Sequence, residues 1–184
     1  QSDLKSRNLL DAVVMLPLAV PGLVMAFGYP ALSQDGKPFH FLVGENGSPF
    51  LLLVIAYAIR RLPYIVRSAV AGLQQSNPML EEAARSLGAS SARTLRRISL
   101  PLIGANLAAG AILAFAFAML EVSDSLILAQ QAEHYPITKA IFTLLSTLGN
   151  GTELAAALGV WAMVFLSIAI MGAAILVGKR GGLF

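Results

Sequence analysis

Four stretches of this chain are each apolar enough, over about twenty residues, to cross the hydrocarbon core of a bilayer. They run from Ala12 to Leu32, Phe50 to Gly72, Pro101 to Leu120 and Leu154 to Val177. A backbone inside lipid must satisfy its own hydrogen bonds, so apolar stretches of this length are confined to helices. The rest of the composition agrees. Charged residues make up 12% of the chain and hydrophobic ones 57%, whereas soluble domains carry about 25% charged residues. The expectation is an all-α, polytopic membrane bundle. The absence of cysteine from the sequence excludes disulfides, thiol catalysis and cysteine metal sites.

The spans are not plain. The first contains Pro17, Pro21 and Pro30, which survive in a membrane helix when neighbours satisfy the freed carbonyls. The second carries Arg60, Arg61 and Pro63. Between these two, Ser33 to Pro49 is rich in Gly, Pro, Asn and Asp and reads as a loop. The segment from Glu121 to Glu153 is mixed: Leu126 to Leu128 is apolar, Tyr135-Pro136 is a break, and Ile137 to Leu148 reads as a short amphipathic helix.

The connection between the second and third spans is the most patterned part of the chain. Asn77-Pro78 reads as a helix start, a capping side chain followed by proline at the first helical position. That helix holds Glu81, Glu82, Ala83 and Ala84 and is expected to end near Gly88, where glycine takes the left-handed conformation without a side-chain clash. Ser90 or Ser91 caps a second helix, which carries Arg93, Arg96 and Arg97 to Leu100; Pro101 is expected to start the third span.

Written as a pattern, Glu82-Ala83-Ala84, Gly88, Ile98, Leu100 and Pro101 give E-A-A-x3-G-x9-I-x-L-P. This resembles the cytoplasmic loop of the permease subunits of binding-protein-dependent ABC importers. The resemblance implies the permease core of a type I importer, with 1–184 a single transmembrane domain and 77–100 its coupling loop. It implies that Glu82 faces basic residues of a separate ATPase, that Gly88 makes the tight turn, and that Ala83, Ala84, Ile98, Leu100 and Pro101 complete the coupling segment. Implied partners are two ATPase subunits, a second permease half of the same or a related chain, and a periplasmic or lipid-anchored solute-binding protein. Transport would proceed by alternating access. No cofactor or metal is expected on this chain: it has no G-x4-G-K-S/T loop, so ATP would be hydrolysed by the partner, and the chain is not an enzyme. The runs Pro17 to Val24 and Arg60 to Tyr64 resemble the iron(III)/aminoethylphosphonate-type branch, while polyamine, thiamine, sulfate or molybdate importers would show similar loops. Four spans are fewer than a whole subunit would have, and the stretch from Gln1 shows no secretory signal pattern, so a fragment or one half of a longer permease is expected.

If the patterned loop is cytoplasmic, Lys5, Arg7, Arg67, Arg85, Arg93, Arg96, Arg97, Lys179 and Arg180 all lie inside, and only Lys37 and Lys139 lie outside. The outer segments instead hold Asp35, Glu45, Glu121, Asp124, Glu133 and Glu153. This asymmetry follows the positive-inside rule for a multi-pass protein of the bacterial inner membrane with both termini cytoplasmic.

Arg60 and Arg61 lie near the middle of an apolar segment, where charge is costly and faces a cavity or a partner. One of them is a candidate for an anion-attracting path; snorkelling of the side chain toward the cytoplasmic surface is the competing expectation. Glu121, Ser123 and Asp124 are candidates for the outer mouth of a path or for contact with the solute-binding protein, though solvated residues at a helix end are the simpler expectation. His40 and His134 show no ligand spacing. Small residues recur four apart at Ala105 and Ala109, Ala155 and Gly159, and Gly178 and Gly182, a spacing that lets membrane helices approach. Two other functions fit parts of the chain: a membrane-tethered helix-turn-helix regulator of DNA, built on Glu81 to Ile98, and a scaffold or channel without an ATPase. The regulator would need its reading helix in a major groove while fastened beside a bilayer, so no nucleic acid is expected among the partners. The basic loop can instead meet anionic lipid headgroups.

Overall fold

A computed structural model of the chain describes residues 7–42 and 48–181. Lys5, Glu45 and Gly182 lie outside the described residues, as do the side chains of Arg7, Lys179 and Arg180. Among the described residues there are helices and turns and no strand. The helices are α1 (Arg7–Ala19), α2 (Gly22–Leu32), α3 (Phe50–Gln75), α4 (Pro78–Ser86), α5 (Ser91–Thr94), α6 (Leu100–Leu102), α7 (Gly104–Met119), α8 (Ser123–Leu128), α9 (Ile137–Leu145) and α10 (Gly151–Gly181). The chain divides into two compact units, Gln1–Pro63 with Ala116–Ile168, and Tyr64–Phe115 with Ala169–Phe184. Segments of α3, α7 and α10 belong to each.

In the first unit the expected opening span is broken. α1 and α2 meet at a bend of 103°. The cause is Pro21, which holds an extended backbone (φ −55°, ψ 137°) and bars Val20 before it from helical geometry. Pro17 and Pro30 sit inside their helices without ending them. α2 packs along α8. The core below them joins Leu42, Leu52, Leu53 and Ala56 to Leu128 and Ala129, with Tyr29, Ile55, Tyr57 and Tyr135 packed against it. The expected amphipathic helix after Pro136 is α9, and the apolar triplet before it is α8.

In the second unit α3 packs against α7 through two glycines. A Cβ on Gly110 would lie 2.6 Å from the Ser68 Cβ, and one on Gly72 would lie 2.9 Å from the Ile103 Cβ. The helical run Ser91–Leu102 then bends by 67° before α7. The expectation that Pro101 starts the third span is therefore corrected. Pro101 lies inside the run, within α6, and the break falls at Ile103 (φ −90°, ψ 6°). A π-turn over Leu95–Ser99 precedes Pro101, and the Leu100 N–H donates five residues back to the Leu95 carbonyl. Widening the helix by one residue is a common accommodation of a missing donor and a crowding ring.

By length and composition α10 is long and apolar enough to cross a membrane, and up to three spans exist if each bent pair is one. α3 has 26 residues, about 39 Å at 1.5 Å per residue, but Arg60, Arg61 and Arg67 interrupt its apolar character. The apolar stretches are thus not uniform spans: the first is bent at Pro21, the third at Ile103, and arginines enter the second. α10 is apolar all round and shows large side chains outward, including Trp161 stacked on Phe165 at 5.4 Å between ring centroids. That surface suits lipid or another helix.

Candidate functional site

Two sets of residues carry chemistry, one in each unit. The first is the turn between α4 and α5. The Asn77 side chain accepts from the Met79 N–H at 3.0 Å, and Pro78 takes the first helical position, as the sequence predicts. At the other end Gly88 has φ +85°. The Ala89 N–H donates to the Ala84 carbonyl at 3.0 Å and the Gly88 N–H to the Arg85 carbonyl at 2.9 Å. Those two bonds are the six-to-one and five-to-two pairs of a Schellman cap. The four-residue step from Ala84 to Gly88 is thus the step from the third-last helical residue to the left-handed residue that closes the helix. Ser90 caps the next helix, accepting from the Arg93 N–H at 3.4 Å.

The turn leaves part of the motif open. Glu82, Ala83 and Gly88 are exposed, Ala84 is half-buried, and no residue of α4 is buried. Leu87 beside Gly88 is 89% exposed, and Met79 and Leu80 are exposed too. Ile98 is half-buried, while Leu100 and Pro101 are exposed on the following helical run. The Glu82 carboxylate thus stands exposed among exposed apolar side chains on a nine-residue helix. Arg93, Arg96 and Arg97 lie exposed on the second helical run.

The second set lies in the first unit and joins α2, α3 and α8. Arg60 is 7% exposed. Its Nε donates to Asp124 Oδ2 at 3.0 Å and its Nη2 to Asp124 Oδ1 at 2.7 Å. Nη2 also donates to the Gly22 carbonyl at 3.0 Å, and Nε lies 3.5 Å from Glu121 Oε2. Arg61 Nη2 donates to Glu121 Oε2 and, at 2.7 Å, to the Phe117 carbonyl. Its guanidinium stands 5.9 Å from the centre of the Phe117 ring. Glu121 Oε1 accepts from the Ser123 N–H at 2.9 Å, and Thr138 Oγ1 donates to the Glu121 carbonyl at 2.6 Å. Asp124 and Ser125 have no exposed surface.

Two expectations are corrected here. Neither arginine snorkels to a surface: each guanidinium is engaged by a carboxylate and a backbone carbonyl. Glu121 and Asp124 are not solvated helix ends, because both are buried and paired. The reason is electrostatic. An unpaired charge in a low-dielectric interior is very costly, and two guanidiniums with two carboxylates make a neutral group. Gly22, Phe117 and Thr138 complete the cluster and were not singled out as site residues; Ser123, read from the sequence beside Glu121 and Asp124, joins it through its backbone N–H. The signal available was charge balance: two arginines in one apolar segment require two acids in another, and Glu121 and Asp124 follow the next one. His40 instead pairs with Asp35 at 2.7 Å, and His134 stands 3.5 Å from Glu133.

Comparison with known proteins adds four findings. A family model described as the inner membrane component of binding-protein-dependent transport systems matches residues 3–176. The chain is 30% identical over 185 residues to the molybdate/tungstate transport system permease protein of Methanocaldococcus jannaschii, covering 98% of this chain and 70% of that protein. It is 32% identical over 123 residues to the ferric transport system permease protein of Actinobacillus pleuropneumoniae, covering 67% of this chain and 17% of that one. Among solved structures it matches a chain of a bacterial ABC transporter involved in import of the acidic polysaccharide alginate. That match has a TM-score of 0.73 at 19% identity and covers 97% of this chain and 68% of the other. At that identity the likeness is one of fold.

Proposed function

The chain belongs to the family of inner membrane components of binding-protein-dependent transport systems, and from that membership we propose that it forms one wall of an ATP-driven import path and takes its motion from a separate ATPase. The observation that carries this reading is the capped turn at Gly88, which holds Glu82 and Leu87 outward on a helix with no buried residue. In this reading residues 77–100 are the coupling loop and face the cytoplasm. The exposed Glu82 carboxylate meets basic groups of the ATPase, and Leu87 enters an apolar recess beside them. ATP binding moves the loop, and the helices it is attached to reorient the path. ATP state and access state then bias each other reciprocally. A second permease half closes the path, and a solute-binding protein delivers cargo to its outer mouth.

Arg60, Arg61, Glu121 and Asp124 act in this reading as wall and not as ligand, since their charges already satisfy one another. The proposed cargo is an inorganic ion. Relatives are named for molybdate/tungstate, ferric iron and sulfate, all inorganic ions, and iron(III), one of the two cargoes suggested by the sequence resemblance, falls within that class while a phosphonate does not.

The test is capture of the ATPase encoded beside this chain's gene, with the unaltered permease and with Glu82→Lys combined with Gly88→Trp. Retention by the unaltered protein and loss by the double variant support the coupling role. Equal retention by both, or capture by neither, overturns it and favours a membrane scaffold.

A further inference from the structure

α4 has nine residues, and a helix that short is not stable by itself in water. Its two caps satisfy its ends but do not fasten it to the rest of its unit. Besides packing against α5 and the π-turn, α4 is fastened by Glu81. Glu81 Oε1 accepts a hydrogen bond from Ser99 Oγ at 2.7 Å, across 18 residues of chain. Ser99 is 4% exposed, whereas Glu81 is half-buried. The other carboxylate oxygen of Glu81 lies 3.8 Å from Arg85 Nη2, one turn along α4. Adjacent helix positions differ by about 100° around the axis. One glutamate therefore turns inward to Ser99 while its neighbour Glu82 stays exposed.

Ser99 is available for this bond because of where it sits. A serine within a helix commonly returns its hydroxyl to the carbonyl four residues back. Here that carbonyl, on Leu95, receives the Leu100 N–H in the π-turn, and the Ser99 hydroxyl reaches across to α4 instead. Thr94, the other buried polar residue of this run, does return its hydroxyl to its own turn, at 3.2 Å from the Ser90 carbonyl. Ser99 is thus the side chain of the run that bonds α4, and it stands two residues before Pro101, just ahead of α7.

We infer that the Glu81–Ser99 hydrogen bond is a strut that makes α4 and the helical run leading into α7 move as one body, so that displacement of α4 by the ATPase reaches the membrane helix undiminished. Glu81 and Ser99 are positioning residues, and Glu82 is the contact residue beside them. The inference rests on the coupling role proposed above, but its mechanical part is measurable without it. The bond is charge-assisted and shielded on the serine side, which makes it about twice as strong as a bond between neutral groups.

Because residues 1–184 contain no cysteine, spin labels placed at Met79→Cys on α4 and Leu113→Cys on α7 report on this pair of sites once any cysteine elsewhere in the full-length permease is replaced. Both positions are exposed and lie in the same unit. The labelled full-length permease is measured in lipid nanodiscs, alone and with its ATPase, before and after ATP. The strut predicts a narrow distance distribution that ATP leaves in place. Ser99→Ala is expected to widen it, and ATP is then expected to shift it, because α4 follows the ATPase while α7 lags. Ser99→Thr, which keeps the hydroxyl, is expected to restore the narrow distribution. An unaltered distribution in Ser99→Ala overturns the strut, as does an ATP-dependent shift in the parent. Failure of the ATPase to bind the parent overturns the coupling role, while the width in the permease alone still decides the strut.

Discussion

Arg60 and Asp124 are 64 residues apart in sequence and form a two-pronged, buried ion pair, with bonds of 3.0 and 2.7 Å between guanidinium and carboxylate. The pair fastens α3 to α8, and the bond from Arg60 to the Gly22 carbonyl adds α2. Removing one charge leaves the other buried and unmatched. Asp124→Ala is expected to destabilise the permease by about 3–5 kcal/mol. The double variant Arg60→Met with Asp124→Leu removes both charges and is expected to recover most of that loss. Thermal unfolding in detergent or nanodiscs measures it. Equal loss in the single and double variants would show that the pair has no electrostatic role.

Gly22 marks the closest approach of α2 to this cluster. A Cβ there would lie 2.7 Å from Ser123 Oγ, 2.9 Å from the Ser123 Cβ and 3.2 Å from Arg60 Nη1. Gly22→Ala should cost about 1–3 kcal/mol, the range for overpacking a filled site. Ser123→Gly removes the first two obstacles and keeps the backbone N–H that serves Glu121, so the double variant is expected to be more stable than Gly22→Ala alone. Additive losses in the melting temperature would count against this.

How much of this was readable in advance differs between the two sites. The turn was legible because its signals are local: Asn77-Pro78, Gly88 and Ser90 each encode a cap within a few residues. The charge cluster was not. Its members come from α2, α3, α7, α8, α9 and the turn holding Glu121, and one contribution, the Gly22 carbonyl, is a backbone atom that any residue type carries. The bends show the same division. Pro21 and Pro101 were visible, but whether a proline breaks a helix or is absorbed depends on hydrogen bonds at neighbouring positions. Pro21 forces a 103° bend, while Pro101 is taken up by a π-turn and the bend moves to Ile103. Composition and spacing alone do not say which of two adjacent glutamates faces inward, since Glu81 meets its partner Ser99 only across 18 residues of chain.

Gly88 offers a separation of backbone strain from sterics. Its φ is +85°, yet nothing lies within 4 Å of the position a Cβ would take. Gly88→Ala is therefore expected to lose about 1–2 kcal/mol through the left-handed backbone alone, and Gly88→Asn less. Gly28, in mid-helix with equally open surroundings and an ordinary φ, supplies the contrast: Gly28→Ala is expected to be neutral or stabilising by up to about 1 kcal/mol. Hydrogen exchange over residues 78–94 reads the local effect. Faster exchange there in Gly88→Ala, with no change elsewhere, is the expected pattern, and uniform exchange across the chain would refute it.

Arg60 and Arg61 are neighbours with the same charge, but they use it differently. Arg60 engages Asp124 through two nitrogens, Nε and Nη2, in the fork geometry that a guanidinium provides. Arg61 reaches both Glu121 and the Phe117 carbonyl from the single atom Nη2. A lysine ammonium is also a single atom with three donors, so it can reproduce the second arrangement and not the first. Arg60→Lys is expected to lose about 1.5–3 kcal/mol, the range for a hydrogen bond to a charged group, and Arg61→Lys less than about 1 kcal/mol. The two variants carry the same net charge, so a difference between their unfolding midpoints isolates geometry from charge. Equal midpoints would mean that the fork contributes nothing beyond the charge it holds.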